Sequence, residues 1–236
     1  MEKIKLFCLP YAGGSASMYY QLKGYMHKIV DVIPIEYSGH GERISENYYA
    51  SFKNMVDDIA SKIIDYLDDD QFSILGYSMG SLVAFEVYYE ILKRTGRKPL
   101  HLYFVANGPP EEKDNNLKVS NMSSDRVVEN IRSLDGYDFL LEDKELLDLC
   151  VKNFEVDFKL YKEYKYTKKE EKCLSNISII YSEEDNIDDN IFKWTKYTAR
   201  FCNYKKMKGN HFFINTHIKE LAKEINDTLL MELKYL

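Results

Sequence analysis

Gln71-Phe72-Ser73-Ile74-Leu75-Gly76-Tyr77-Ser78-Met79-Gly80-Ser81-Leu82-Val83-Ala84-Phe85-Glu86 reads as a strand, a sharp turn and a helix. A serine between two glycines at this spacing can take up a strained backbone conformation, because Gly76 and Gly80 bring no Cβ to where strand and helix approach. Its hydroxyl is then pushed out above the strand ends. The same turn sets the Met79 backbone N–H at a helix start beside Ser78 Oγ, where it can stabilise negative charge on an attacked carbonyl. Ser78 is the candidate nucleophile, and the Met79 N–H is half of an oxyanion hole.

Upstream, Ile4 to Leu9 is a short apolar strand that ends at Pro10 and opens into Tyr11-Ala12-Gly13-Gly14-Ser15-Ala16-Ser17. A glycine-rich loop after a strand can cradle phosphate, but neither the dinucleotide nor the Walker spacing is present. In serine hydrolases built on an α/β sheet, the loop after an early strand supplies the second oxyanion donor, and the Ala12 N–H is the natural candidate. Ser17 is expected to cap a helix from Met18 to Ile29. A second strand, Asp31 to Tyr37, runs into Ser38-Gly39-His40-Gly41-Glu42-Arg43. His40 is a rival catalytic histidine, but it precedes the nucleophile in the chain. The plainer reading is a polar turn residue near the site mouth. Ser51 to Leu67 carries Phe52, Met55, Val56, Ile59, Ile63, Ile64 and Leu67 at helical spacing. Asp68 to Asp70 form a solvated turn, and Leu100 to Asn107 is the next strand. Strands alternating with helices imply right-handed crossovers and a mainly parallel sheet flanked by helices.

Downstream, Asn115 to about Lys172 breaks the alternation with helical patterns at roughly Ser124 to Leu134 and Asp143 to Tyr164. This reads as a helical lid over the site. Its aromatic residues Tyr137, Phe139, Phe154, Phe158 and Tyr161 line an acyl passage, pack the lid on the sheet, or do both. The strand pattern resumes at Ile177 to Tyr181, followed by Ser182-Glu183-Glu184-Asp185-Asn186-Ile187-Asp188-Asp189. Chemistry in such folds collects beyond the carboxyl ends of the strands, in the order Ser, acid, His. Asp185 is the chosen acid, with Glu183 and Glu184 as weaker rivals. Asp188 and Asp189 are expected to cap a helix from Asn190 to Ala199. A last strand, Phe201 to Met207, leads to Gly209-Asn210-His211 and a terminal helix from Asn215 to Leu233. His211 stands where the general base belongs.

The 236 residues suit a single domain, and a net charge of −6 argues against a general nucleic-acid binder. No apolar run has the length of a membrane span, and the start of the chain enters a strand pattern rather than a signal peptide, so a cytoplasmic protein is expected. Cys8, Cys150, Cys173 and Cys202 show no paired spacing, which signals neither a metal site nor a disulfide framework. Buried reduced thiols are the expectation.

Together, Pro10-Tyr11-Ala12-Gly13-Gly14-Ser15, Gly39-His40-Gly41-Glu42-Arg43, Gly76-Tyr77-Ser78-Met79-Gly80-Ser81 and Gly209-Asn210-His211-Phe212-Phe213 resemble a type II thioesterase of the α/β-hydrolase fold. The likeness runs from the first strand to the terminal helix. It implies one α/β-hydrolase domain over residues 1–236 with a helical lid insertion at about 115–172. Such stand-alone enzymes accompany nonribosomal peptide and polyketide synthetases, where they remove stalled acyl groups from the phosphopantetheine arm of carrier proteins. The resemblance implies a triad of Ser78, Asp185 and His211, an oxyanion hole of the Ala12 and Met79 N–H groups, and acyl or peptidyl carrier domains as partners. It implies no metal and no cofactor beyond the phosphopantetheine that arrives with the substrate, and the protein is expected to be a monomer that binds neither nucleic acid nor membrane. A lidded lipase or esterase, or a non-catalytic binding module of the same fold, are the competing readings. Tyr77 stands where the family often has histidine, and Asn210 where a second glycine is common; both bear on acyl preference rather than on a catalytic atom. Lys159, Lys162, Lys165, Lys168, Lys169 and Lys172 form a locally basic stretch. It is either solvated surface or a docking patch for an acidic carrier.

Overall fold

The computed structural model describes residues 3–112, 143–184 and 189–235. Among the described residues, six strands, β1 (Ile4–Leu9), β2 (Val30–Pro34), β3 (Gln71–Tyr77), β4 (His101–Val105), β5 (Asn176–Ser182) and β6 (Cys202–Met207), form one sheet in the order β2-β1-β3-β4-β5-β6. Every pairing is parallel. Alternate side chains of the strands enter two apolar layers. Phe7, Leu9, Ile74, Leu102, Phe104 and Ile179 face one way, while Leu6, Cys8, Leu75, Tyr77, Tyr103 and Ile180 face the other. A sheet buried on both faces has near-continuous apolar strands, which is how these segments read.

The first layer is covered by α2 (Phe52–Tyr66), α3 (Met79–Thr95) and α4 (Lys144–Glu163); the second by a short helix α1 (Tyr20–Lys23) and by α6 (Ile218–Glu232). In α2, Ser51 accepts from the Asn54 N–H at 3.1 Å and so satisfies one of the helix's unpaired donors. Its Phe52, Met55, Val56, Ile59 and Ile63 are buried at the expected spacing. Asp143 caps α4 in the same way, accepting from Glu145 and Leu146 at 3.0 and 3.1 Å.

Three helix expectations need correction. Before α1, a 3-10 turn covers Ala16–Tyr19, and Ser15 rather than Ser17 is its cap. The run does not reach Ile29, because Asn226 of α6 takes the Tyr25 carbonyl at 3.0 Å and the His27 N–H at 2.8 Å, turning the chain toward β2. The segment after β5 is a 3-10 helix, Asp189–Tyr197, instead of an α-helix. Ile191, Trp194 and Tyr197 are all buried, and a period of three stacks residues at this spacing on one face. The terminal helix is broken at His217 into α5 (Phe213–Thr216) and α6, with His217 at φ −123° and ψ 29°.

Cys8 and Cys173 are buried free thiols, while Cys150 and Cys202 are only half-buried. Among the described residues, no helix is long and apolar enough to cross a membrane.

Candidate active site

Ser78 joins the end of β3 to the start of α3 with φ 51° and ψ −116°, a conformation that costs on the order of 1–3 kcal/mol and persists only where its surroundings enforce it. Here they do. Its N–H donates to the Val105 carbonyl at 2.7 Å. Its carbonyl accepts from Ser81 N at 2.9 Å and from Asn107 Nδ2 at 2.8 Å. The flanking glycines are required by contact: a Cβ on Gly76 would press on Ser81 N at 2.6 Å, and one on Gly80 on the Pro10 carbonyl at 2.6 Å. The result is a half-buried serine hydroxyl beyond the carboxyl end of the sheet, beside the Met79 N–H at the helix start.

His211 arrives from the loop after β6, and its Nε2 lies 3.0 Å from Ser78 Oγ. Several contacts shape that loop. Gly209 turns it at φ 92°, Asn210 Oδ1 accepts the Phe212 N–H at 2.9 Å, and Phe212 sets its ring edge-on to the imidazole at 5.1 Å. The Tyr77 hydroxyl donates to the His211 carbonyl at 2.7 Å. Tyr77 is fully buried in the second apolar layer, so it holds the histidine loop from below.

The third expected group, Asp185, lies outside the described residues, as do Asn186, Ile187 and Asp188. The described residues on the near side are placed. The Ser182 hydroxyl bonds the Gly209 carbonyl, and the Glu183 N–H reaches the Met207 carbonyl at 2.9 Å, so the chain ahead of Asp185 and the chain ahead of His211 leave the sheet side by side. Glu183 and Glu184 are exposed.

Ala12 is half-buried in a loop gripped along its length. The Leu9, Pro10 and Tyr11 carbonyls accept from Tyr19 Oη at 2.7 Å, Tyr37 Oη at 2.9 Å and Gly14 N at 2.9 Å. Gly13, at φ 77°, packs so closely on α4 that a Cβ would lie 2.8 Å from that of Phe154. Its N–H donates to Asp157 Oδ2 at 2.8 Å.

His40 is not a polar residue at a mouth. It is 1% exposed and sits 3.1 Å from Asp157 Oδ2, while Arg43 braces the same turn against Asp58 at 2.7 Å and the Glu36 carbonyl at 3.0 Å. Burial pushes the His40 pKa down, but the Asp157 carboxylate, the Ser38 carbonyl and Glu36 outweigh it and leave it raised.

The sequence reading gave no role to Asp157 on α4 or to Asn107 just after β4. Asp157 reaches the Ala12 loop, and Tyr161 Oη donates to Asn107 Oδ1 at 3.2 Å, which in turn holds the Ser78 carbonyl. Phe154, Phe158 and Tyr161 are buried and stacked, with successive centroids 5.3 and 6.3 Å apart. Tyr137 and Phe139 lie outside the described residues. Of the basic stretch, Lys159, Lys162, Lys165, Lys168 and Lys172 are exposed. Lys169 is not available for docking: its Nζ pairs with Glu86 at 2.5 Å and lies over the Tyr89 ring at 5.1 Å. Among the described residues, no group of three or more His, Cys, Asp or Glu side chains is arranged to hold a metal ion.

A parallel sheet with a strained serine after its third strand and a histidine at 3.0 Å defines the α/β-hydrolase class. A family model described as "Thioesterase domain" matches residues 4–229, and the chain belongs to that family. It is 27% identical over 215 residues to the gramicidin S biosynthesis protein GrsT of Aneurinibacillus migulanus, covering 90% of this chain and 83% of that protein. It is 26% identical over 231 residues to thioesterase PikA5 of Streptomyces venezuelae, covering 97% and 82%. The crystal structure of ClbQ from the colibactin NRPS/PKS pathway superposes with a TM-score of 0.89 at 26% identity, covering 99% of this chain and all of that one.

Proposed function

We propose that the protein is a type II thioesterase that hydrolyses acyl thioesters from the phosphopantetheine arm of carrier-protein domains, clearing synthetases of nonribosomal peptide or polyketide type. The observation that carries this reading is the 3.0 Å approach of His211 Nε2 to a strained Ser78 in a chain of the thioesterase family. Similarity to GrsT, PikA5 and ClbQ supports the carrier-bound substrate class.

In the proposed reaction, His211 takes the Ser78 proton as Oγ attacks the thioester carbonyl, and the Ala12 and Met79 N–H groups hold the resulting oxyanion. Collapse of the tetrahedral adduct breaks the C–S bond. The phosphopantetheine thiol leaves with the proton from His211, and an acyl ester remains on Ser78. Water then gives its proton to His211, attacks that ester, and releases the carboxylic acid as Ser78 regains its hydrogen. Asp185 serves as the acid that orients the imidazole and stabilises its positive charge. The tie between Ser182 and Gly209 supports that choice, since it binds the chain just ahead of Asp185 to the loop that presents His211.

On this reading no metal or resident cofactor takes part. The insertion at about 115–172 is taken to serve as a lid, with α4 as its fixed part and residues 113–142 outside those described, and the enzyme works as a monomer in the cytoplasm beside its synthetase. The test is a comparison of kcat/KM on an acyl-carrier protein, the matching acyl-coenzyme A and a simple aryl ester. Preference for the carrier is expected. An enzyme that took the aryl ester best and ignored the carrier would be an esterase.

A further inference from the structure

The turn after β2 and the helix α4 take no part in the proposed chemistry, yet they meet at the oxyanion loop through two buried ionisable groups. Asp157 and His40 are each 1% exposed, and Asp157 Oδ2 lies 3.1 Å from His40 Nε2. That contact is an ion pair when Nε2 carries its proton. The same Oδ2 accepts the Gly13 N–H at 2.8 Å. On the other side of the ring, Nδ1 lies 3.1 Å from the Ser38 carbonyl. A carbonyl can only accept, so Nδ1 carries a hydrogen. The proton on Nε2 therefore decides whether Asp157 meets a cation or the lone pair of a neutral ring.

The geometry of the loop shows what this controls. Across the Tyr11–Ala12 peptide, the C=O and the N–H point in opposite directions because the unit is planar and trans. Gly14 N holds that carbonyl at 2.9 Å, and Asp157 holds the next peptide through its Gly13 N–H. With both planes fixed, the Ala12 N–H is aimed. The other grips on this loop, from Tyr19 and Tyr37, are neutral hydroxyls. The grip on Gly13 is a carboxylate directly on the peptide after Ala12, whereas the Glu36 carboxylate holds the loop farther along, at the Ala16 N–H.

We propose that Asp157 and His40 act as a positioning pair: a buried, proton-dependent ion contact that holds the Ala12–Gly13 peptide and so keeps the Ala12 N–H directed at the developing oxyanion. This rests on the assignment of Ser78 and Ala12 made above. A carboxylate taken out of water is tolerated only with a counter-charge and hydrogen bonds, and His40 and Gly13 supply them. The other groups facing His40 do not replace that function. Tyr37 and Tyr48 present ring edges at 6.0 and 5.8 Å. Glu36 adds a second carboxylate that also favours the imidazolium, and its Oε1 accepts from Ala16 N at 3.1 Å. With its pKa raised in the folded protein, the contact is fully formed below the ordinary histidine range and is lost as pH rises through the folded value.

The experiment measures kcat and KM on an acyl N-acetylcysteamine thioester from about pH 6 to 9, with active enzyme counted by fluorophosphonate titration. Inhibition by a trifluoromethyl ketone, whose serine adduct bears an oxyanion, is measured in parallel. The wild type should show an alkaline limb in kcat. Asp157→Asn should move that limb to lower pH, and His40→Gln should abolish it. Asp157→Ala should lower kcat per active site by about 10–100-fold, short of the loss from deleting a donor outright. KM should stay within about twofold, and affinity for the ketone should fall by the same factor as kcat. If Asp157→Ala does not fold, the isosteric Asp157→Asn decides the matter through its pH profile. An alkaline limb that survives unmoved in both Asp157→Asn and His40→Gln would overturn the proposal, as would a loss of kcat with ketone affinity unchanged. Failure of the fluorophosphonate to label wild-type Ser78 would instead sink the nucleophile assignment beneath it.

Discussion

Tyr77 donates a hydrogen bond from its phenol to the main-chain carbonyl of His211 at 2.7 Å, so the residue just ahead of Ser78 in sequence supports the loop that carries His211. The Ile214 N–H donates to the Tyr77 phenol oxygen at 3.4 Å. The two catalytic loops are thus linked beneath the site by one buried side chain. Tyr77→Phe keeps the ring and removes the link. A net hydrogen bond is worth about 1 kcal/mol, and a fall in unfolding free energy of that size is expected by urea titration. kcat should fall several-fold with KM unchanged; wild-type kcat would mean that the loop holds without the phenol.

The strain at Ser78 separates stability from activity. Ser78→Ala and Ser78→Gly should both abolish turnover, and a fluorophosphonate should label wild-type protein only at Ser78. Alanine inherits the unfavourable φ of 51°, whereas glycine accepts it. Ser78→Gly should be more stable than Ser78→Ala by about 1 kcal/mol, since relief of strain exceeds the entropy glycine adds to the unfolded chain. Equal thermal midpoints would show that the elbow stores no strain.

Among the carboxylates after β5, Asp185→Asn should cost on the order of 10⁴ in kcat, the size of effect expected when a triad imidazole loses its orienting acid. Asp188→Asn should cost far less. The opposite ranking in steady-state assays transfers the role to Asp188.

The lysines divide by what they touch. Lys165 and Lys168 are exposed, and their reversal to Glu should lower kcat/KM on an acidic acyl-carrier protein and flatten its salt dependence, while a small thioester is turned over as before. Lys169→Glu should instead lower the melting temperature, because it sets two carboxylates against each other at Glu86. Equal losses on carrier and small substrate for the Lys165 and Lys168 reversal would remove the docking role.

Much of this was legible because the pattern of apolar residues changes period sharply where elements change. β1 runs from Ile4 to Leu9 as expected, and Ser51 and Asp143 mark the starts of α2 and α4. The elbow was readable because its two glycines stand between a strand run and a helical run; alone, that spacing also occurs in ordinary loops. The 3-10 helix at Asp189–Tyr197 was not, since aromatic residues spaced by three fit either helix type until packing chooses. The shortening of α1 was hidden because it depends on Asn226, some two hundred positions away. Asp157 left a signal that went unread. It lies on the apolar face of α4 with Phe154, Phe158 and Tyr161, and a carboxylate where the helix calls for a hydrophobic side chain asks for a partner. His40 could not declare itself that partner, because a histidine among glycines looks the same in sequence whether the turn is buried or exposed.

The bonds from α4 to the catalytic framework also bear on how cargo gets in. Were this helix to swing outward, Asp157 would leave His40 and Gly13, and Tyr161 would leave Asn107. Each departure would disturb one of the groups needed for the reaction. The helix is therefore a doorpost and not the door. Phe154, set hard against Gly13, belongs to the same fixed post, so on the proposed chemistry cargo has to enter past α4 without moving it.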